Sequence, residues 1–226
     1  MSAQKVKFKV PKVTIPGTTS PAALSETEIV NGLKEALTQG ANKAASTLNQ
    51  VDGYFANPLV KIPFPQELQH VENTLRQVGY GKKVDEFILA MNRSAEQAAK
   101  ESVPIFTNAI TSMSISDAKG ILGGPDTAAT HYLRQSTYTQ LYTTFYPHIQ
   151  TALNNNKVAA KWTELATLYN KLPTTRTKID TDIVSYTTHK GLKGLFVKVA
   201  EEEKNIRTNV NARTSDLLKK VFGAPK

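Results

Sequence analysis

The chain has no cysteine among its 226 residues. That removes thiol nucleophiles, disulfides, thiolate zinc sites and iron–sulfur clusters together. It leaves the compartment open, because a cysteine-free chain suits oxidising and reducing surroundings alike. Long hydrophobic runs are also missing. Lys, Thr or Asn interrupts every apolar stretch well short of the roughly 18–20 residues that span a bilayer, which excludes a transmembrane helix. Tryptophan occurs once, at Trp162, and the four histidines, His70, His131, His148 and His189, lie in separate segments. The chain lacks a Gly-x-Ser-x-Gly elbow, a Walker phosphate loop, a dinucleotide fingerprint and a His-Glu-x-x-His pair. Glu67-Leu68-Gln69-His70 has the Glu-x-x-His spacing of di-iron bundles, but such a site needs a second copy and further glutamates, and no second copy occurs. Nothing here calls for a metal or any other cofactor.

What is present suits a globular core. Apolar residues make up 40% and charged residues 21%, enough to bury a core in one domain, or one domain with an appendage. The net charge is +9 and unevenly spread. Residues 1–24 carry Lys5, Lys7, Lys9 and Lys12 and no acid, nearly half of the excess. Val6, Phe8 and Val10 alternate with the lysines, and Pro11, Pro16 and Pro21 forbid a helix. This segment reads as an extended basic arm, either a solvated tail or a contact for an anionic surface. The chain start does not read as a signal peptide, because lysines stand where an apolar stretch would be. The expectation is a cytoplasmic protein or one whose leader has been removed.

From residue 25 onward the periodicity is helical. Ser25-Glu26-Thr27-Glu28 has capping-box spacing. Ile29, Leu33, Leu37, Ala41, Ala44 and Leu48 follow on one face, and Gly32 and Gly40 are expected to admit a close neighbour. Residues 57–65 read as extended because Pro58, Pro63 and Pro65 restrict the residues before them. Helices are then expected over about 65–78, with Gly79 as the stop, and over 82–102 and 104–110. Ser114 or Ser116 caps a short helical turn. A helix over 125–135 opens at Pro125-Asp126. A separate one runs from Tyr138 to about Asn154, with Pro147 kinking it or freeing a carbonyl. Helices over 158–172, from about Asp180 to Arg207, and over 214–222 complete the chain. No segment after residue 65 alternates as a strand does. The fold class is therefore all-α: a single-domain multi-helix bundle over 25–223 with the extended basic arm at 1–24.

Candidate site residues come from polar groups on apolar faces. On the long C-terminal helix, Leu192, Leu195, Phe196, Val199 and Ile206 form a stripe. At 100° per residue, Glu203 lies about 40° to one side of its centre and Glu202 about 60° to the other. Burying such carboxylates demands cationic or hydrogen-bonding partners. Arg207, four residues on, is the nearest, with Arg213 and Arg134 as others. The pair is either a structural clamp or an acid/base or ligand-binding site. Asp126, Thr130 and Arg134 share a helix face and either line a polar pocket or form a cap and an ion pair. Tyr138 and Tyr142, with Phe145, form core or line a ligand site.

Several phrases, taken in order, are familiar: Leu33-Lys34-Glu35-Ala36-Leu37, Ala90-Met91-Asn92-Arg93, Asp126-Thr127-Ala128-Ala129-Thr130, Gly194-Leu195-Phe196 and Ala200-Glu201-Glu202-Glu203-Lys204. Over about residues 25–223 the chain resembles the bacterial domain-of-unknown-function family numbered 4197. The resemblance implies an α-helical protein of the bacterial periplasm or envelope and no established activity. Three functions stay open. One is a non-catalytic protein that binds a protein partner or an anionic envelope surface through the arm. The second is a carrier of a lipid-like ligand held between helices. The third is an enzyme using Glu202, Glu203 and Arg134. The basic residues outside the arm are interspersed with acids, which argues against nucleic acid.

Overall fold

The computed structural model describes residues 25–223 except 156, 172 and 174–181. The basic arm with Lys5, Lys7, Lys9 and Lys12 lies outside the described residues, as does Asp180. Helix α1 (Glu26–Leu48) begins where the capping box places it, with the Ser25 hydroxyl accepting from the Glu28 N–H and the Glu28 carboxylate accepting from the Ser25 N–H. A short 3₁₀ turn leads into α2 (Gln69–Leu75), and a wide turn with Gly79 at φ +91° joins it to α3 (Gly81–Ala99). Then come α4 (Ser102–Thr111), α5 (Ile115–Gly123) and α6 (Ala128–Asn155). The last three are α7 (Val158–Asn170), α8 (Ile183–Thr208) and α9 (Asp216–Gly223). No strand occurs among the described residues, and the fold is all-α.

Two expectations change. Residues 125–135 and 138–154 belong to one helix, α6, which starts at Ala128 rather than at Pro125-Asp126. The polar stretch at its middle does not break it: Thr137 is buried there, its hydroxyl satisfied by donating to the Leu133 carbonyl one turn back. Pro147 sits on the exposed side of this continuous helix.

Helix α8 packs against α6, α1 and α3, and so occupies the middle of the bundle. Its small residues let neighbours approach. A Cβ on Gly194 would meet the Tyr54 ring at 2.7 Å, and Gly40 of α1 faces the Glu202 and Ile206 side chains of α8. Gly32 faces Val221 of α9 in the same way. Within the same core Phe64, Phe87 and Trp162 pack together, with ring centroids 5.2–5.9 Å apart.

Residues 49–65 have no regular structure beyond turns, yet Tyr54, Val60, Ile62 and Phe64 are buried. Buried backbone groups need partners, and two buried polar residues of α3 supply them. The Asn92 side chain accepts from the Ile62 N–H and donates to the Ile62 carbonyl, both at 2.8 Å. Glu96 Oε1 accepts from the Tyr54 and Phe55 N–H groups at 3.1 Å, and its Oε2 pairs with Arg93 at 2.7 Å. The Tyr54 hydroxyl reaches across to donate to the Gly191 carbonyl at 2.7 Å. Burial pushes its phenol far above the ordinary range, and the Glu96 charge adds to the shift.

Gly194→Ala is expected to destabilise the fold by about 1–3 kcal/mol, because the added methyl overpacks against Tyr54; urea denaturation measures this. Hydrogen bonds from the Ser25 backbone and hydroxyl hold the Glu28 carboxyl below its ordinary pKa, and those from the Ser114 hydroxyl and backbone do the same for Asp117. Their folded pKa values are depressed. The stabilisation is therefore full above the ordinary carboxylate range and fades as pH falls through the depressed values. Carboxyl-carbon NMR titration should place both midpoints below those of an unstructured peptide.

Candidate functional site

Of the two carboxylates singled out from the sequence, Glu203 sits where the ends of α5, α6 and α8 meet. Glu203 projects from α8 onto the first turn of α6. Its Oε1 accepts from the Ala129 N–H at 3.0 Å, and its Oε2 accepts from the Thr130 N–H at 2.8 Å and the Thr130 hydroxyl at 2.7 Å. These are N–H groups that the start of a helix leaves without internal partners. The position of an N-cap is thus taken by a residue 73 positions away in sequence. Arg207 completes the arrangement, donating to Glu203 Oε1 from Nε at 3.1 Å and from an Nη at 2.9 Å. The same Nη donates to the Ile121 carbonyl near the end of α5 at 2.9 Å. The anion therefore lies at the positive end of α6 and the cation at the negative end of α5, as the helix dipoles favour. Side-chain exposure is 6% for Arg207 and 4% for Glu203, so no substrate reaches the pair. Arg213, considered above as a partner for Glu203, instead donates to the Ile206 and Arg207 carbonyls at the end of α8.

The other predicted residues do not converge here. Glu202 is half-buried and lines a separate groove between α1 and α8. Glu201 pairs with Lys198. Asp126 is exposed in the turn before α6, and Glu203 holds the helix start that Asp126 was expected to cap. Thr130 is buried against Glu203, while Arg134 points outward on the next turn. The expected polar face of Asp126, Thr130 and Arg134 is therefore divided among three surroundings. Helix α6 begins at Ala128, after Asp126, and the acidic group at its start comes from α8.

Arg134 belongs with the tyrosines. Its guanidinium lies 5.5 Å from the Phe196 ring centroid and 5.9 Å from that of Tyr138, a cation–π arrangement. The Tyr138 hydroxyl bonds His189 Nδ1 at 2.7 Å, and its ring stacks on those of His189 and Phe196 at 6.3 Å. Tyr142 bonds the Ser185 hydroxyl at 3.0 Å and lies 4.8 Å from His189, centroid to centroid. Burial raises the Tyr138 phenol pKa, and the nearby Arg134 charge offsets part of the shift. This cluster spans α6 and α8 and stays partly open: Tyr138 and Tyr142 are half-buried, and Arg134 and His189 are exposed. The tyrosine stripe is thus filled by its own rings. An apolar hollow lies elsewhere, between α1 and α8 beneath Phe222 of α9, with a volume of about 10 Å³. That is the space of one water and too little for an acyl chain.

His70 bonds the Tyr169 hydroxyl at 2.9 Å. Among the described residues no three histidine or carboxylate side chains group as metal ligands. No described helix is long and apolar enough to cross a membrane. Sequence reasoning missed Asn92 and Glu96. The available signal was their spacing: two polar residues four apart, flanking the apolar face of Phe87, Met91 and Ala95.

Fold and site together define an all-α protein whose two buried carboxylates hold its own backbone in place. A family model described as "Protein of unknown function (DUF4197)" matches residues 23–223, and the chain belongs to that family. No curated protein and no solved structure matches it.

Glu203→Ala should cost about 3–5 kcal/mol, because it leaves the Arg207 charge and two helix N–H groups buried without a partner. Arg207→Ala should cost a comparable amount, and the double variant clearly less than their sum. Strict additivity in urea denaturation would show that the pair does not act as one unit.

Proposed function

We propose that this protein works in the bacterial envelope by binding a macromolecular partner, not by catalysis. The observation that carries the reading is the Arg134–Tyr138–Tyr142–His189 cluster across α6 and α8. Tyrosine and arginine dominate the energetics of protein contacts. Here their polar ends are held by hydrogen bonds and stacking, so little side-chain freedom is lost on docking. The catalytic alternative needs Glu202, Glu203 and Arg134 around one cleft. Glu203 is closed off, Glu202 faces a different groove and Arg134 lies over aromatic rings. The four lysines of residues 1–24 add electrostatic attraction to an anionic surface, about 1 kcal/mol for each one near a charged membrane. The envelope location rests on the family resemblance.

Two measurements test this. The full chain should co-sediment with phosphatidylglycerol vesicles at low salt and much less with phosphatidylcholine vesicles. Deleting residues 1–24 should weaken the association at least tenfold with unchanged helical circular dichroism. A photo-reactive side chain at the exposed His131, one turn before Arg134, should capture a discrete partner in cells. That product should disappear in the Arg134→Ala/Tyr142→Ala variant. Vesicle association that ignores the arm, together with cross-linking that ignores the double variant, would overturn the reading.

A further inference from the structure

Helix α9 has eight residues and lays one apolar face, Leu217, Leu218, Val221 and Phe222, on α1. A Cβ on Gly32 would lie 2.6 Å from Val221 Cγ2, so a side chain of α9 meets bare backbone there. The hold is slight. Leu218 is fully buried, and the other three are half-buried. Leu218 packs with Ala36 and Ile206 in a small cluster apart from the main core, and Phe222 is the one α9 side chain that also reaches that core. Among the described residues no hydrogen bond or ion pair joins α9 to another helix, and its pair of Lys219 with Asp216 is internal. An isolated helix of this length is marginal in water, so α9 stays helical only against an apolar surface. The chain before it is closed off without it. Arg213 is buried and donates to the Ile206 and Arg207 carbonyls, which satisfies the end of α8. Release of α9 at Thr214-Ser215 therefore leaves the polar partners of α8 in place.

Charge and position say which other surface suits α9. From Asn209 to Lys226 the single acid, Asp216, stands against Lys219, Lys220 and Lys226, besides the buried Arg213. Lys219 and Lys220 are exposed. Leucine, valine and phenylalanine on one side with lysines on the other is the pattern of a helix that lies in the interface of an anionic bilayer. Helix α9 also sits at the root of the basic arm. The arm joins α1 at Ser25. The Glu28 carboxyl, held low chiefly by its Ser25 hydrogen bonds, is lowered further by the charge of Lys220. Val221 rests on Gly32, about two turns from Ser25. An anionic surface that attracts the lysines of residues 1–24 is therefore brought beside α9. A single weak signal gives only reversible membrane binding, and a basic segment beside an apolar insertion supplies two.

We infer that α9 is a releasable membrane anchor: it leaves α1 at Thr214-Ser215 and lays Leu217, Leu218, Val221 and Phe222 into an anionic lipid surface beside the basic arm. The inference rests on the reading of the arm as a contact for an anionic surface, but it concerns a different segment, so the two can fail separately. Because the chain has no cysteine, Gly32→Cys/Val221→Cys introduces a single thiol pair. A Cβ at Gly32 lies 3.3 Å from the Val221 Cβ, near the roughly 3.5–4.5 Å of disulfides. Oxidation then locks α9 on α1, and dithiothreitol frees it. Sedimented with phosphatidylglycerol vesicles, the full chain should bind about tenfold more weakly oxidised than reduced, with unchanged circular dichroism. A second readout does not need the disulfide. The indole introduced by Phe222→Trp should be quenched by brominated phosphatidylglycerol vesicles, while the buried Trp162 of the unaltered chain is not. Equal binding of the two redox forms, or an unquenched indole, overturns the inference. If deleting residues 1–24 abolishes association while the lock changes nothing, the arm reading stands without α9. If the lock matters and the deletion does not, α9 is the anchor and the arm reading falls. Absence of vesicle binding in every form overturns both.

Discussion

The Glu203 carboxylate sets how α5, α6 and α8 meet. Taking a charge out of water costs several kcal/mol, and this one is compensated only in a single arrangement. The first turn of α6 must present its free N–H groups, and Arg207 must sit one turn along α8. Arg207 in turn needs the end of α5, where it meets the Ile121 carbonyl. Shift any of the three helices and a buried charge or dipole loses its partner. The pair thus specifies geometry, whatever its net contribution to stability. The packing of α1 and α9 over the same region, close at Gly40 and Gly32, builds on that fixed junction.

Glu96 and Asn92 repeat the principle for a segment with little regular structure. Residues 49–65 bury large side chains without a helix or strand to satisfy their backbone, and α3 supplies the missing acceptors and donors. Together these clamps have a functional consequence. Glu203, one of the two carboxylates singled out from the sequence, is an internal fitting. The aromatic cluster on α6 and α8, by contrast, stays partly open to the outside.

Much of the helical plan was legible. The Ser25 capping box and Gly79 as a stop fall where spacing puts them, and of Ser114 and Ser116 it is Ser114 that caps, because caps are local chemistry. The break expected near residues 135–138 was not local. A polar stretch reads as a helix end, yet Thr137 is buried and returns its hydroxyl to the helix. The Glu203–Arg207 pairing was legible from its i, i+4 spacing and its place beside the apolar stripe. Its other partners, Ala129, Thr130 and Ile121, were not, since no pattern in one segment records what another segment's backbone lacks. Arg134 was grouped with Asp126 and Thr130 by helical phase, whereas packing gave it to Tyr138 and Phe196.

By itself the sequence determined the helical class, the family resemblance and the exclusion of thiol chemistry, because composition and 3.6-residue periodicity are properties of the chain alone. Only the tertiary structure decided which polar residues are internal and which face outward. Glu202 and Glu203 are adjacent in sequence and about equally close to the apolar stripe, yet one lines an open groove and the other is sealed beneath a helix start. The difference arises from which neighbouring helix end arrives with unpaired N–H groups, and that is fixed when the helices pack.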